Sequence, residues 1–255
     1  MHNSARETLD LFVNLYIKEI NYDATVVEIG SLDVNGSIKD HLPKNIKYTG
    51  LDIIDGPNVD VVLSDPYEYP LESSSVDFII SSSCFEHTEF FWKAILESFR
   101  ILKPQGVIYI NAPSNGYYHQ HPMDYFRYYP DSGLSFQNWG IENGYNCHLL
   151  ESFIGSSNED IWNDFVCVLI KDKKYSHLFS KRILQTNIKF FNGRIDSSSE
   201  ILNKSDFSED MLKINYLKNR YVNYDLIYKK INLFKLKVEK KIYRLKQIIK
   251  KILKL

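Results

Sequence analysis

The stretch "VVEIGSLDVNGS", residues 26–37, decides how the rest of the chain is read. Val26, Val27 and Ile29 are strand formers around a single acid, Glu28, and the run stops at Gly30, with Gly36 six residues later. In an open α/β sheet, ligands lie beyond the carboxyl ends of the strands, and glycine stands where backbone and ligand must approach closely. A P-loop needs two glycines five residues apart followed by lysine; here the spacing is six and Ser37 follows. The dinucleotide fingerprint fails as well, because Leu32 holds its second glycine position. A pyrophosphate is therefore excluded as the expected ligand.

Outward from this loop, "ATVVEIG" (24–30), "IKYTGLDII" (46–54), "NVDVVLS" (58–64), "SVDFIISSS" (75–83) and "GVIYINAP" (106–113) are short runs rich in Val, Ile and Tyr. They read as strands. Between the last two, Phe91, Ala94, Ile95, Phe99 and Leu102 recur at helical spacing and the pattern ends at Pro104. That spacing predicts a crossover helix, hence a parallel sheet covered by helices on both faces. "NGYNCHLLESF" and "WNDFVCVLI" have strand character with no helix-length segment between them, so an antiparallel pair closes the sheet edge. The expected fold is α/β and Rossmann-like, a mostly parallel, doubly wound sheet with an antiparallel edge and a C-terminal helical extension.

The second strand narrows the ligand. Asp52 ends it about 20 residues after the first glycine, where a carboxylate accepts hydrogen bonds from both ribose hydroxyls. Glu28 suits a ligand carrying an ammonium and a sulfonium. S-adenosylmethionine (SAM) meets both conditions.

Residues 24 to about 170 resemble the class I SAM-dependent methyltransferases. The likeness is carried by "VVEIGS", "YTGLDI", "VDFIISSSCFEH", "ESFRILKPQG" and "HPMDYFRYYPDSG". It is similar, in particular, to bacterial methyltransferases of surface-polysaccharide and glycan biosynthesis. It departs from the family in its first loop, where G-S-L-D-V-N-G replaces G-x-G-x-G. The resemblance implies that Glu28, Gly30 and Ser31 line the methionine and ribose end of SAM, that Asp52 binds the ribose and that Ile53 lies against adenine. It further implies that Asp65 meets the adenine amino group, that Pro66 fixes its turn, and that Ser82 and Ser83 lie near the sulfonium. The product would be S-adenosylhomocysteine (SAH).

Methyl transfer aligns acceptor, methyl carbon and sulfur, and an alcohol acceptor profits from a base. His87, His119 and His121 are candidate bases, with Asp124 as the alternative; His87 reads equally as a structural residue at a helix entry. Residues 114–131, "SNGYYHQHPMDYFRYYPD", follow the fifth strand and set histidines and charges among five tyrosines. Such a loop suits a polar small molecule: Tyr117, Tyr118 and Tyr125 offer aromatic faces and Arg127 a bidentate grip on a phosphate or carboxylate. An internal Asp124–Arg127 pair is the competing reading. His119-x-His121 hints at metal, but no further ligand stands at convincing spacing, so no metal site is expected. The expected reaction is O-methylation of a small polar acceptor, a sugar or phosphorylated sugar intermediate of a surface glycan. An amine or phosphate-type acceptor, or a non-catalytic SAM-binding module, is the alternative.

Charge divides the chain. Residues 1–170 hold 9 basic and 24 acidic residues, against 22 and 8 in residues 171–255. An acidic body makes nucleic acid an unlikely partner. Ile227, Ile231, Phe234, Val238, Ile242, Leu245, Ile249 and Ile252 predict a basic amphipathic helix over 224–255. It would lie on an anionic membrane, self-associate, or dock on an acidic surface. The expected organisation is a methyltransferase domain over 1–170, a connector with short helices over 171–223, and that helix. Cys84, Cys147 and Cys167 show no metal-ligand spacing and read as core residues of a reducing compartment. With no signal-peptide pattern and no spanning apolar run, the expected location is cytoplasmic, with the inner membrane face as a peripheral site.

Overall fold

The computed structural model describes residues 3–20, 22–34, 36–156, 162–206 and 208–252. The chain divides into two units, Met1–Asp206 and Phe207–Leu255.

Among the described residues the first unit is built on eight strands: β1 (Thr25–Ile29), β2 (Lys47–Asp52), β3 (Val61–Val62), β4 (Val76–Ser82), β5 (Leu102–Pro113), β6 (His148–Gly155), β7 (Asp164–Ile170) and β8 (Phe190–Ile195). They form one sheet in the order β3-β2-β1-β4-β5-β7-β6-β8. The first five run parallel, β1 lying between β2 (Glu28 opposite Gly50) and β4 (Ile29 opposite Ser81). Strands β7, β6 and β8 pair antiparallel, as the expected edge requires. The order reverses between β1 and β4, and that switch point opens the crevice an α/β sheet uses for ligands.

Alternation along the strands sends neighbouring side chains to opposite faces. Val27, Ile29, Ile79 and Ile108 join Ile95 and Phe99 of helix α2 (Phe91–Ile101) and Phe136 of helix α3 (Asp131–Glu142) in one core. Val26, Phe78, Ile80 and Tyr109 join Leu9 and Phe12 of helix α1 (Asn3–Phe12), together with Val13, Tyr16 and Ile17 just after it, in the other. Each fully buried Leu, Ile or Phe contributes roughly 1.5–3 kcal/mol. Helix α2 ends at Ile101, before the Lys103-Pro104 dipeptide, whose proline disfavours helix in the residue ahead of it.

Several expectations change here. Among the described residues a single 3-10 turn, Ile38–His41, lies between β1 and β2, and loops join β2, β3 and β4, so the helical cover described on this side is thin. Residues 190–195, expected within a connector, form strand β8 against β6. The stretch before it is pinned by buried Glu151 of β6, which accepts from the Ile183 and Leu184 amides and from Tyr16 Oη.

The second unit is dominated by one helix, α4 (Glu209–Ile252), which starts 15 residues earlier than the apolar stripe predicts. Its stripe is exposed at Ile231, Phe234, Ile242 and Ile249. No helix among the described residues is long and apolar enough to cross a membrane.

Candidate functional site

A cavity of about 570 Å³ opens beyond the carboxyl ends of β1, β2 and β4, within the size range of small-molecule sites. Gly30, just past β1, has φ +78°, and a Cβ there would stand 2.5 Å from Cys84 Cβ. Glycine is required on both counts. The amides of the first loop face inward: Gly30 N and Ser31 N donate to the Leu51 carbonyl at 2.9 and 3.1 Å, and Asp33 N to the Pro57 carbonyl at 3.0 Å. The Ser31 side chain is buried under Gly50 and does not line the cavity, so the role expected of it does not fit the geometry.

Asp52 does line it. Leu32 N donates to one carboxylate oxygen and Ile54 N to the other, each at 3.0 Å. Two amides thereby fix the carboxylate plane and leave each oxygen lone-pair capacity for a further donor, as a ribose diol supplies. Ile53 and Ile54 present exposed apolar surface beside it, and Pro66 and Tyr67 line the cavity close by. Asp65 does not reach the cavity: its Oδ1 accepts from Tyr67 N at 2.8 Å, which makes it the closing residue of a turn.

Glu28 lines the cavity from the end of β1, with Oε2 accepting from Tyr48 Oη and from Asn58 Nδ2. Burial pushes its carboxyl up to about 7 against those hydrogen bonds. Ser82 and Ser83 continue the wall past β4, and the Ser82 hydroxyl is buried without a hydrogen-bond partner among the described residues. Cys84 also lines the cavity instead of lying wholly in the core, its thiol pushed up to about 12 by burial.

The histidines converge. The His87 ring lies 5.0 Å from that of His119 and 6.3 Å from that of His121, and all three line the cavity. His87 Nδ1 contacts the Met123 carbonyl, which can only accept, so the proton sits on Nδ1 and Nε2 keeps its lone pair. Burial lowers the His87 pKa and favours this neutral form. Beside it Glu86 is 1% exposed, and burial raises its carboxyl to about 8. Of the expected acceptor residues, Tyr125 lines the cavity, whereas Tyr117 and Tyr118 do not. Tyr117 packs its ring 4.9 Å from that of Trp162, and Tyr118 is exposed.

Asp124 and Arg127 bind one another, as the competing reading had it. Arg127 Nη1 and Nη2 reach the two carboxylate oxygens at 2.5 and 2.8 Å, and the His119 amide donates to Asp124 at 2.8 Å. Hydrogen bonding to Arg127 lowers Asp124 to about 2, which removes it as a base, and neither residue lines the cavity. Their bidentate pair instead shapes the loop that presents His119. Sequence reasoning passed over Glu86, Trp162 and Asp164, all of which line the cavity. Glu86 was within reach of it, since it adjoins His87 in the quoted "CFEH".

The family model described as a methyltransferase domain matches residues 24–110, which run from β1 through β4 into β5. Over those residues the chain matches a methyltransferase domain. A solved methyltransferase from Burkholderia thailandensis acts on N1 of 1,6-didemethyltoxoflavin and holds that compound with SAH. It superposes with a TM-score of 0.53 at 12% identity, over 67% of this chain and 79% of its own, and bears on the fold alone. An Aquifex aeolicus SAM-dependent methyltransferase matches at 0.41 and 15% identity, over 67% and 100% of the two chains. N-methyltransferase 2 of Haemonchus contortus, solved with phosphomonomethylethanolamine and SAH, matches at 0.46 and 12% identity, over 65% and 52%. No curated protein sequence matches the chain. Glu28, Gly30 and Asp52, which line the cavity, all fall within the matched residues.

Proposed function

We propose that the protein transfers the methyl group of SAM to an oxygen of a small polar acceptor, and that the acceptor is a sugar or phosphorylated sugar of a surface glycan. One observation carries the reaction type. A single cavity runs along the strand order from Asp52 (β2) and Gly30 (β1), past Ser82 and Ser83 (β4), to His87, His119, His121 and Tyr125. Donor and acceptor held along that line meet beside a neutral imidazole. The acceptor oxygen bonds to the methyl carbon, the carbon–sulfur bond breaks with its electron pair going to sulfur, SAH leaves, and the hydroxyl proton passes to a histidine. Support for a glycan acceptor is the likeness of "HPMDYFRYYPDSG" and its neighbours to polysaccharide methyltransferases. The buried Glu86 carboxyl beside the histidines favours an amine as the second reading.

The test is turnover of His87→Ala, His119→Ala and His121→Ala on an accepted substrate. Loss of a base is expected to slow one of them by about 10²-fold or more while SAH affinity holds. Near-normal rates in all three would remove histidine from the chemistry.

We further propose that the protein acts in the cytoplasm and that α4 pairs with a second amphipathic helix. Its exposed apolar stripe supports pairing, and the absence of tryptophan along it disfavours an interfacial seat.

A further inference from the structure

Glu86, His87 and His119 bring three metal-binding side chains to one wall of the cavity, with their ligand atoms all within 4.8 Å of one another. We propose that these three residues bind a first-row divalent transition-metal ion of the zinc type. Bond lengths of 2.0–2.2 Å in a tetrahedral site set neighbouring donors about 3.4 Å apart. His87 Nε2 and Glu86 Oε1 already stand 3.7 Å apart. His119, itself half-buried on a largely exposed loop, closes the remainder by side-chain rotation.

The surroundings of each donor point the same way. Glu86 is 1% exposed, yet its Oε2 has no hydrogen-bond partner among the described residues, and an unsatisfied buried carboxylate is costly. A cation supplies what it lacks. His87 holds its Nδ1 proton on the Met123 carbonyl and turns the Nε2 lone pair toward Glu86, the arrangement in which a metal-bound imidazole is oriented by a backbone acceptor. The Tyr117 carbonyl and the Asp124 carboxylate lie 3.4 and 3.5 Å from His119 Nδ1 and can hold that ring likewise. Arg127, also 3.4 Å from His119 Nδ1, has its charge neutralised by Asp124. Two imidazoles and one carboxylate suit zinc-type ions and leave a coordination position open, here toward the cavity. Magnesium and calcium prefer oxygen-only sets.

On the methyl-transfer reading, that open position takes the acceptor hydroxyl and makes it easier to deprotonate. His121, 6.3 Å from His87, is then the imidazole left to receive the proton. Binding of the ion itself is independent of that reading.

The test uses the full chain without a histidine tag, stripped with chelator and titrated with Zn²⁺ against a chromophoric competitor in a magnesium-containing buffer. One equivalent is expected to bind, with affinity falling at least 10-fold in each of Glu86→Gln, His87→Ala and His119→Ala and unchanged in His177→Ala. Co²⁺ at the same site is expected to give a visible d–d band that is lost in the same variants. If His87→Ala fails to fold, His119→Ala, on the largely exposed loop, decides. Binding of less than half an equivalent, or unchanged affinity in His119→Ala and Glu86→Gln, overturns the proposal. SAH affinity is measured alongside: Zn²⁺ binding without SAH binding refutes the cofactor site and keeps the metal, and the converse does the reverse.

Discussion

Replacing Gly30 with alanine puts a methyl group into the tightest point of the cavity floor. The φ of +78° costs an L residue roughly 1–2 kcal/mol. The new Cβ meets Cys84 Cβ at 2.5 Å and Cys84 Sγ at 2.6 Å, so the two segments must part by about 1 Å to reach ordinary contact. Neither is free to do so. Gly30 N is bonded to Leu51, and Ser83 N, one residue before the collision, to Asn111 on β5, both at 2.9 Å. Overpacking of this kind adds about 1–3 kcal/mol, for a total of roughly 2–5 kcal/mol. Gly144→Ala is the matched control, because Gly144 has φ +87° and nothing within 4 Å of the added atom. It should cost only the backbone part, about 1–2 kcal/mol. Urea unfolding of both variants measures the two costs. If Gly30→Ala is no more destabilising than Gly144→Ala, the close approach of Gly30 and Cys84 is wrong.

Two further expectations follow from charge and from α4. Burial raises Glu28 to about 7 and Glu86 to about 8, so the folded state resists ionising carboxyls that ionise freely once unfolded. Both acids are mostly protonated in either state at pH 4, and the penalty grows as pH rises from the unfolded value of about 4.3 and is complete once it has passed their folded values. Urea midpoints are therefore expected to fall between pH 5 and pH 8.5, and Glu28→Gln to flatten that fall; a midpoint rising over this range contradicts the burial of both groups. The Asp124–Arg127 pair does not contribute in this window, because Asp124 titrates near 2. Truncation after residue 206 removes α4 and is expected to reduce the mass in light scattering from an oligomer to a monomer; unchanged mass with salt-sensitive binding to anionic vesicles would assign the helix to membranes.

The parallel half of the sheet was legible because its strands are dense in Val, Ile and Tyr and end at informative residues, Gly30 and Asp52. Helix α3 was not, because Gly133 and Gly140 weaken its helical signal. Both serve tertiary contact: a Cβ on Gly140 would meet Cys147 Sγ at 2.5 Å, and one on Gly133 would press on Leu149 and Ser152. Strand β8 was hidden by Asn192 and Gly193, turn-like residues in a six-residue edge strand. In the site, strand-end residues could be placed by register, but loop side chains could not. Ser31 is buried beneath Gly50 and Asp65 is spent on an exposed turn, and whether Arg127 reached a ligand or Asp124 was a matter of loop geometry. Glu86 meets His119 only because β4 and β5 are neighbours in the sheet.

The central claim is that this cavity holds SAM through Asp52, and calorimetry with SAH tests it most directly. One SAH per chain is expected to bind, displaced by SAM, with Asp52→Ala weakening it by about 1.5–3 kcal/mol, or roughly 10- to 150-fold. The fold should survive, because the freed Leu32 and Ile54 amides lie where water can reach them. No binding to the wild-type chain, or equal affinity in a folded Asp52→Ala variant, would contradict the account.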